Sequence, residues 1–294
     1  MSSITCFGEV LWDEFPEHKK IGGAPLNVAV RLKSLGNDVS IISSIGEDIN
    51  GIEIFEFIKK NDINVDGIQV DEKLKTGTVK VVLNAKGSAS YDIMFPRAWD
   101  NIRLTDTSIR IVKSSDAFVF GSLIARNETS KETLYELLKT AKYKIFDVNL
   151  RAPYYTKEVL VNLMNQADFI KFNDDEIFEI SDMFDSRTPS LEQTILFIAE
   201  QTNTKTICVT KGEDGAILFV EGKFYYNSGY PINVADTVGA GDSFLASLIN
   251  KLLNKENPQI SINYASAVGA IVASKVGANP IISNQEISQI LNYD

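Results

Sequence analysis

What most constrains this chain is a repeated switch between two hydrophobic periods. Ile4 to Leu11 is a strand-length apolar run, with Gly8-Glu9 inside it and Asp13 just past its end. Val28, Leu32 and Leu35 then recur at helical spacing until Gly36 stops the run, and Pro25 suits the first turn of that helix. Val39 to Ile45 reads as a second buried strand, and Ile52, Phe55 and Ile58 as a second amphipathic helix. Strand, helix, strand, helix demands an α/β fold: a mostly parallel central sheet covered on both faces, in three αβα layers. The rhythm then breaks. Thr78 to Leu83 and Ser90 to Phe95 alternate polar and apolar residues around Asn84-Ala85-Lys86-Gly87-Ser88, which predicts a hairpin with a wet face. With the segment after Leu11 it predicts a small separate sheet, from about residues 12–21 and 76–98, able to cover a pocket or pair with a second copy. From about residue 104 the rhythm resumes, with strands at Ala117 to Phe120, Lys144 to Val148, Phe169 to Phe172 and Thr206 to Thr210. Ala216 to Val220 with Phe224 to Tyr226 predicts a second hairpin, and a helix follows from about Ile260 to Ser274. No linker or repeat divides the chain, so residues 1–294 read as one domain.

Composition narrows the function. Lys plus Arg number 29 against 39 Asp plus Glu, a formal charge of −10, which argues against non-specific nucleic-acid binding. No run approaches the roughly 18 apolar residues of a membrane span. Met1 to Cys6 shows no basic region followed by an apolar core, so the expectation is a cytoplasmic protein. Cys6 and Cys208 sit in apolar runs and read as reduced, buried thiols. His18 is the lone histidine, which rules out a multi-histidine metal site.

In open parallel sheets, ligands sit beyond the carboxyl ends of the strands. Asp13, Gly22-Gly23, Gly121, Asn149, Arg151, Asn173, Glu176, Gly212 and Asp242 all fall just after expected strands or at helix starts, so the fold can gather them on one edge. Gly239, Ala240 and Gly241 form a tight turn into a helix N-terminus, whose unpaired amides and dipole favour an anion. Asp242 follows at once. It is either an N-terminal capping residue or the base for a hydroxyl attacking a phosphate held by those amides. Gly22-Gly23 with Asn27 one turn into the next helix reads as a turn, or as close backbone approach to a small polar ligand that Asn27 bonds. Asn173 and Glu176 share a helix face, as a capping box or as organisers of a hydrated Mg²⁺ and phosphate oxygens. Arg151 either steadies a transferred phosphate or makes a surface ion pair; Arg97, beside Trp99, either faces the substrate or stacks at the surface. The P-loop, dinucleotide and nucleophile-elbow signatures are absent.

Gly22-Gly23-Ala24-Pro25-Leu26-Asn27-Val28-Ala29 and Asp236-Thr237-Val238-Gly239-Ala240-Gly241-Asp242 closely resemble the two signatures of the ribokinase-like (PfkB) carbohydrate kinases. They occur in the expected order near opposite ends of the chain. Asn173-x-x-Glu176 and Thr210-Lys211-Gly212 extend the similarity, and Gly8 to Asp13 with Asp147 to Arg151 look most like the bacterial fructokinase branch. The resemblance implies transfer of the ATP γ-phosphate to a sugar hydroxyl with Mg²⁺, under a small β-sheet lid. It makes Asp242 the base and Gly239 to Asp242 the anion hole. Asp13, Gly22, Gly23 and Asn27 would hold the sugar, Asn173 and Glu176 would serve the Mg²⁺-phosphate region, Glu176 through water, and Thr210 and Gly212 would line the nucleotide site. Ser266 stands where many relatives carry an Asn near the adenine. A monovalent cation such as K⁺ would sit by Asp236, Val238 and Gly277. The implied acceptor is fructose, with 2-keto-3-deoxygluconate, ribose or a nucleoside as alternatives. A catalytically silent sugar-binding relative is the alternative of another class, and a homodimer through the lid is the implied assembly.

Overall fold

The computed structural model describes residues 1–83, 89–186 and 188–291. Its strands are β1 (Ser3–Phe7), β2 (Leu11–Glu14), β3 (Lys19–Gly22), β4 (Asp38–Gly46), β5 (Asn64–Asp71), β6 (Gly77–Leu83), β7 (Ala89–Ile93), β8 (Ala117–Gly121), β9 (Lys144–Asp147), β10 (Phe169–Asn173), β11 (Thr206–Thr210), β12 (Ala216–Val220) and β13 (Lys223–Asn227). The helices are α1 (Ala24–Ser34), α2 (Ile49–Lys60), α3 (Asp106–Ser114), α4 (Glu128–Leu138), α5 (Lys157–Gln166), α6 (Asp174–Met183), α7 (Leu191–Thr202), α8 (Ala240–Leu253), α9 (Pro258–Ala273) and α10 (Asn284–Leu291).

The main sheet runs β13-β12-β11-β10-β9-β8-β1-β4-β5. Pairs from β11 to β5 are parallel, and β12 is antiparallel to both its neighbours. Because helices cover both faces, its central strands are apolar on both sides. Ile4, Ile145, Phe169 and Cys208 pack with residues of α1, α2, α8 and α9. Phe7, Phe146, Ile170, Phe172 and Ile207 pack on the opposite face with residues of α3 to α7. Both cysteines are free and buried. No helix among the described residues is long and apolar enough to cross a membrane.

The first strand is shorter than the sequence suggests. It stops at Phe7, because Gly8 turns the chain at φ 149°, where a Cβ would lie 2.6 Å from Pro25 Cγ. Leu11–Glu14 then joins a second sheet, ordered β3-β2-β6-β7, so Asp13 lies within a strand of the small sheet. The segment joining β6 to β7, residues 84–88, lies outside the described residues.

Past β7 the chain returns to the body through Trp99, which is fully buried. The Arg126 guanidinium lies 3.8 Å from the Trp99 ring centroid, with Tyr154 at 4.8 Å and Phe95 at 5.1 Å. It bonds both Asp100 carboxylate oxygens at 2.7 and 2.8 Å and the Met94 carbonyl at 2.8 Å. The cation at Trp99 is therefore Arg126. Arg97 donates instead to the Pro96 carbonyl at 3.0 Å and to Thr78 Oγ1 at 3.4 Å.

Candidate active site

Strands β9, β10 and β11 end side by side. Asp147 pairs in register with Lys171, and Asn173 with Thr210. Helix α8 starts over this edge. Its N-cap, Gly239, has φ 75°, and a Cβ there would lie 2.5 Å from the Ala278 carbonyl oxygen. Both the backbone conformation and the close packing therefore require glycine. Asp242 lies in the first turn, but it caps nothing: its Oδ2 accepts from Asn27 Nδ2 at 2.8 Å. Asn27 is buried on α1, and its Oδ1 accepts from Asn279 Nδ2 at 2.9 Å. The relay from Asn279 through Asn27 thus fixes which amide atom faces the carboxylate. Arg31, one turn further along α1, donates to Ser243 Oγ at 3.1 Å and to the Pro280 carbonyl at 2.9 Å. These bonds hold α1, the start of α8 and the segment at 277–280 in one register.

Four carboxyls are pushed up here, and burial is the largest cause for each, Glu176 included. Burial, then the Asp147 charge, raises Asp242 to about 6, against the Asn27 hydrogen bond and the charges of Lys171 and Arg151. Burial raises Asp13 to about 6, although Lys20 and Arg151 oppose it. Burial also raises Glu9 to about 7, and its Oε2 has no partner among the described residues. Arg151 donates to the Leu150 carbonyl at 2.8 Å. It pairs with no carboxylate within 4.0 Å among the described residues, so of its two readings the surface ion pair is not formed, and its charge acts on Glu9, Asp13 and Asp242.

Asn173 and Glu176 form the capping box. Asn173 Oδ1 accepts from the Glu176 amide at 2.7 Å, and Glu176 Oε2 accepts from the Asn173 amide at 2.8 Å. Glu176 Oε1 also accepts from the Leu150 amide at 2.9 Å. Each carboxylate oxygen keeps a lone pair, so an oxygen-only contact to hydrated Mg²⁺ through water fits this donor set. Asp236 Oδ1 accepts from the Val238 amide and Oδ2 from the Gly277 amide, both at 3.1 Å, and Lys20 Nζ lies 3.6 Å away. The three residues expected at a monovalent cation site are thus brought together, around the Asp236 carboxylate. No group of three or more metal-binding side chains occurs among the described residues.

Gly22 ends β3, and a Cβ on it would collide with Asp13 Oδ2; one on Gly23, at φ 110°, would collide with the Glu9 carbonyl. Thr210 Oγ1 lies 3.4 Å from the Phe172 carbonyl, and Gly212 follows at φ 56° with open space where a Cβ would stand. Ser266, on α9, has a buried hydroxyl without a partner among the described residues. Sequence reasoning missed Arg31, Asn279 and Lys171. Of these only Lys171 carried a signal, as a charged residue inside the strand Phe169–Asn173.

Removing the Asn27 amide leaves Asp242 without its aligning donor. Asn27→Ala is expected to lower kcat roughly tenfold, in line with loss of one hydrogen bond to a charged group. Steady-state rates at saturating substrates check this, and unchanged turnover would remove Asn27 from the site.

A model of the pfkB family carbohydrate kinases matches residues 3–285. Fructokinase-2 of Oryza sativa subsp. japonica is 26% identical over 318 residues, covering 98% of this chain and 93% of that protein. The crystal structure of an uncharacterized sugar kinase from Pyrococcus horikoshii in complex with ATP superposes with a TM-score of 0.83 at 28% identity, covering 98% of this chain and 99% of that one. The 2-dehydro-3-deoxygluconokinase of Thermotoga maritima shares the fold, with a TM-score of 0.88 at 20% identity over 99% of this chain and 100% of that one.

Proposed function

This chain belongs to the pfkB family of carbohydrate kinases, and we propose that it transfers the γ-phosphate of ATP to a hydroxyl of fructose with Asp242 as general base. The observation that carries this reading is the Asp242 carboxylate in the first turn of α8, held by Asn27 beside a helix start of which, among the described residues, only the Ala240 amide is engaged, by the Thr237 carbonyl at 3.2 Å. In this reading Asp13 and Asn27 orient the sugar between the two sheets. The small sheet, which carries Asp13 and Gly22, serves as a lid that excludes water and offers a face for a second copy. Asp242 takes the proton as the sugar oxygen attacks in line, and the amides of Gly239 and Gly241 hold the developing charge, assisted by Arg151, while the Ala240 amide donates to the Thr237 carbonyl. Asn173, Thr210, Gly212 and Ser266 line the nucleotide. Mg²⁺ through water at Glu176 would supply neutralisation of phosphate charge, and K⁺ near Asp236, Val238 and Gly277 a positive field behind the amides.

The choice of fructose rests on the rice fructokinase at 26% identity and on the residues at 8–13 and 147–151. ADP release measured over fructose, 2-keto-3-deoxygluconate, ribose and a nucleoside tests it. Fructose is expected to give the highest kcat/KM; a higher value for another acceptor replaces it, and sugar binding without any ADP leaves a silent binder. The raised carboxyl also sets a pH profile. A base must be deprotonated, so protonation of Asp242 below about 6 switches the enzyme off. The expected kcat/KM falls about tenfold per pH unit below that point. A flat profile from pH 7 to pH 5 would remove Asp242 from this role.

A further inference from the structure

Strand alternation assigns positions 147 and 171 to the face beneath α8, together with Ile145, Phe169 and Cys208. At two positions that the pattern reserves for apolar side chains, the chain carries a charged pair. Asp147 and Lys171 are opposite each other in register on adjacent strands, and Nζ lies 3.0 Å from Oδ1. Their side chains are 6% and 8% exposed. A pair removed from water in this way stabilises a fold little compared with apolar residues of the same volume, so structural need does not account for it.

The ammonium is also under-used. It has three N–H donors, and Asp147 is its one hydrogen-bond partner among the described residues. It faces the first turn of α8 where that turn has no side chain: a Cβ on Gly241 would lie 3.8 Å from Nζ. Its charge reaches the carboxylates on both sides, opposing the burial that raises Asp242 and Glu176. A buried cation with free donors therefore stands at the bare glycine face of an anion-binding helix start.

We infer that Lys171 is a catalytic residue that donates to the transferred phosphoryl group from beneath Gly241, with Asp147 as the residue that positions its ammonium. The inference rests on the kinase reading of this site. In the step, the sugar oxygen forms a bond to the γ-phosphorus, its proton goes to Asp242, and the bond from that phosphorus to the bridging oxygen breaks with its electron pair leaving on ADP. Lys171 keeps its protons throughout and balances charge on the phosphoryl oxygens, a stabilisation that the amides of α8 share.

The test replaces both charges together, since removal of one partner leaves the other buried and unpaired. Lys171→Met with Asp147→Asn is expected to fold with a cooperative melt and to keep KM for the sugar. Its kcat is expected to fall about 10²-fold or more, the loss typical of one donor to a transition-state oxyanion. Asp147→Asn alone, which retains the ammonium, is expected to keep a kcat about tenfold or more above that of the double variant. A double variant with parental kcat overturns the inference, as does Asp147→Asn falling as far as the double variant. Should the double variant not fold, Lys171→Gln carries the same outcomes for kcat against KM. A parent protein that releases no ADP with any acceptor removes the kinase reading itself; an active parent with an equally active double variant removes only Lys171.

Discussion

Asp242→Asn is expected to lower kcat by about 10²- to 10⁴-fold, the usual contribution of a positioned general base. The substitution keeps an oxygen for the 2.8 Å hydrogen bond from Asn27, so the geometry of α1 against α8 should survive. What it removes is a carboxylate whose burial lifts its pKa to about 6. A carboxyl with a raised folded-state pKa binds its proton more tightly when folded. The native protein therefore loses stability as pH rises from the ordinary carboxylate range through about 6, and stays penalised at neutral pH. The variant escapes that penalty. Its melting temperature at pH 7 should equal or exceed the parent's, and the gap should close near pH 4, where the parent's carboxyl is protonated. Turnover at saturating ATP and sugar, with melts at both pH values, checks the pair of effects. Near-parental turnover would reject the base assignment, and a lower melting temperature at pH 7 would reject the account of its cost.

Arg126→Leu is the expected large effect on stability. Arg126 and Asp100 side chains are each only 1% exposed, and the guanidinium bonds both carboxylate oxygens and the Met94 carbonyl while stacking on Trp99. Leucine leaves Asp100 buried with its charge unmatched. Breaking a buried pair from one side costs about 3–5 kcal/mol, and loss of the cation over the Trp99 ring adds about 1–2 kcal/mol. Denaturant unfolding should show that loss, and Arg126→Leu with Asp100→Asn should recover part of it. A single variant as stable as the parent would mean that the pair contributes nothing. Met94 directly follows β7, and Tyr154 Oη donates to the Ile93 carbonyl at 3.0 Å. The same variant should thus loosen the small sheet's attachment and raise KM for the sugar.

The features legible in the sequence are those whose physics is local. Gly239 must be glycine because of its own φ of 75°, and a glycine-rich turn before a helix is visible without knowing what packs against it. The α/β rhythm is equally local, since each buried strand and each helical stripe carries its own period. Leu11 reads as the end of the first strand but belongs to the small sheet, because the apolar run from Ile4 to Leu11 hides the turn at Gly8. Strand β5 escaped notice because an edge strand such as Asn64–Asp71 is buried only in part and carries polar residues throughout. The capping and catalytic readings of Asp242 could be separated only by its partner, and Asn27 lies 215 residues away. Lys171 was hidden for the same reason: its meaning depends on register with Asp147 and on a glycine of α8. The identity of Glu176 was legible, but its third hydrogen bond, from Leu150, was not.

The relay behind Asp242 also bears on how the chain is made. Asn279 meets Asn27 across 252 residues, and Arg31 reaches Pro280 across 249. During synthesis, α1 emerges early with Asn27 and Arg31 directed toward acceptors not yet translated. Closing loops of this length adds little entropy beyond that of shorter ones, but it cannot begin until the codons past 280 have been read. A ribosome stalled at residue 270 would hold the β1, β4, β8, β9, β10 and β11 strands and most of α9, with no completed relay. If the proposed phosphoryl transfer depends on this relay, it requires synthesis past Pro280, since any nascent product ending before Asn279 lacks the last link to Asp242.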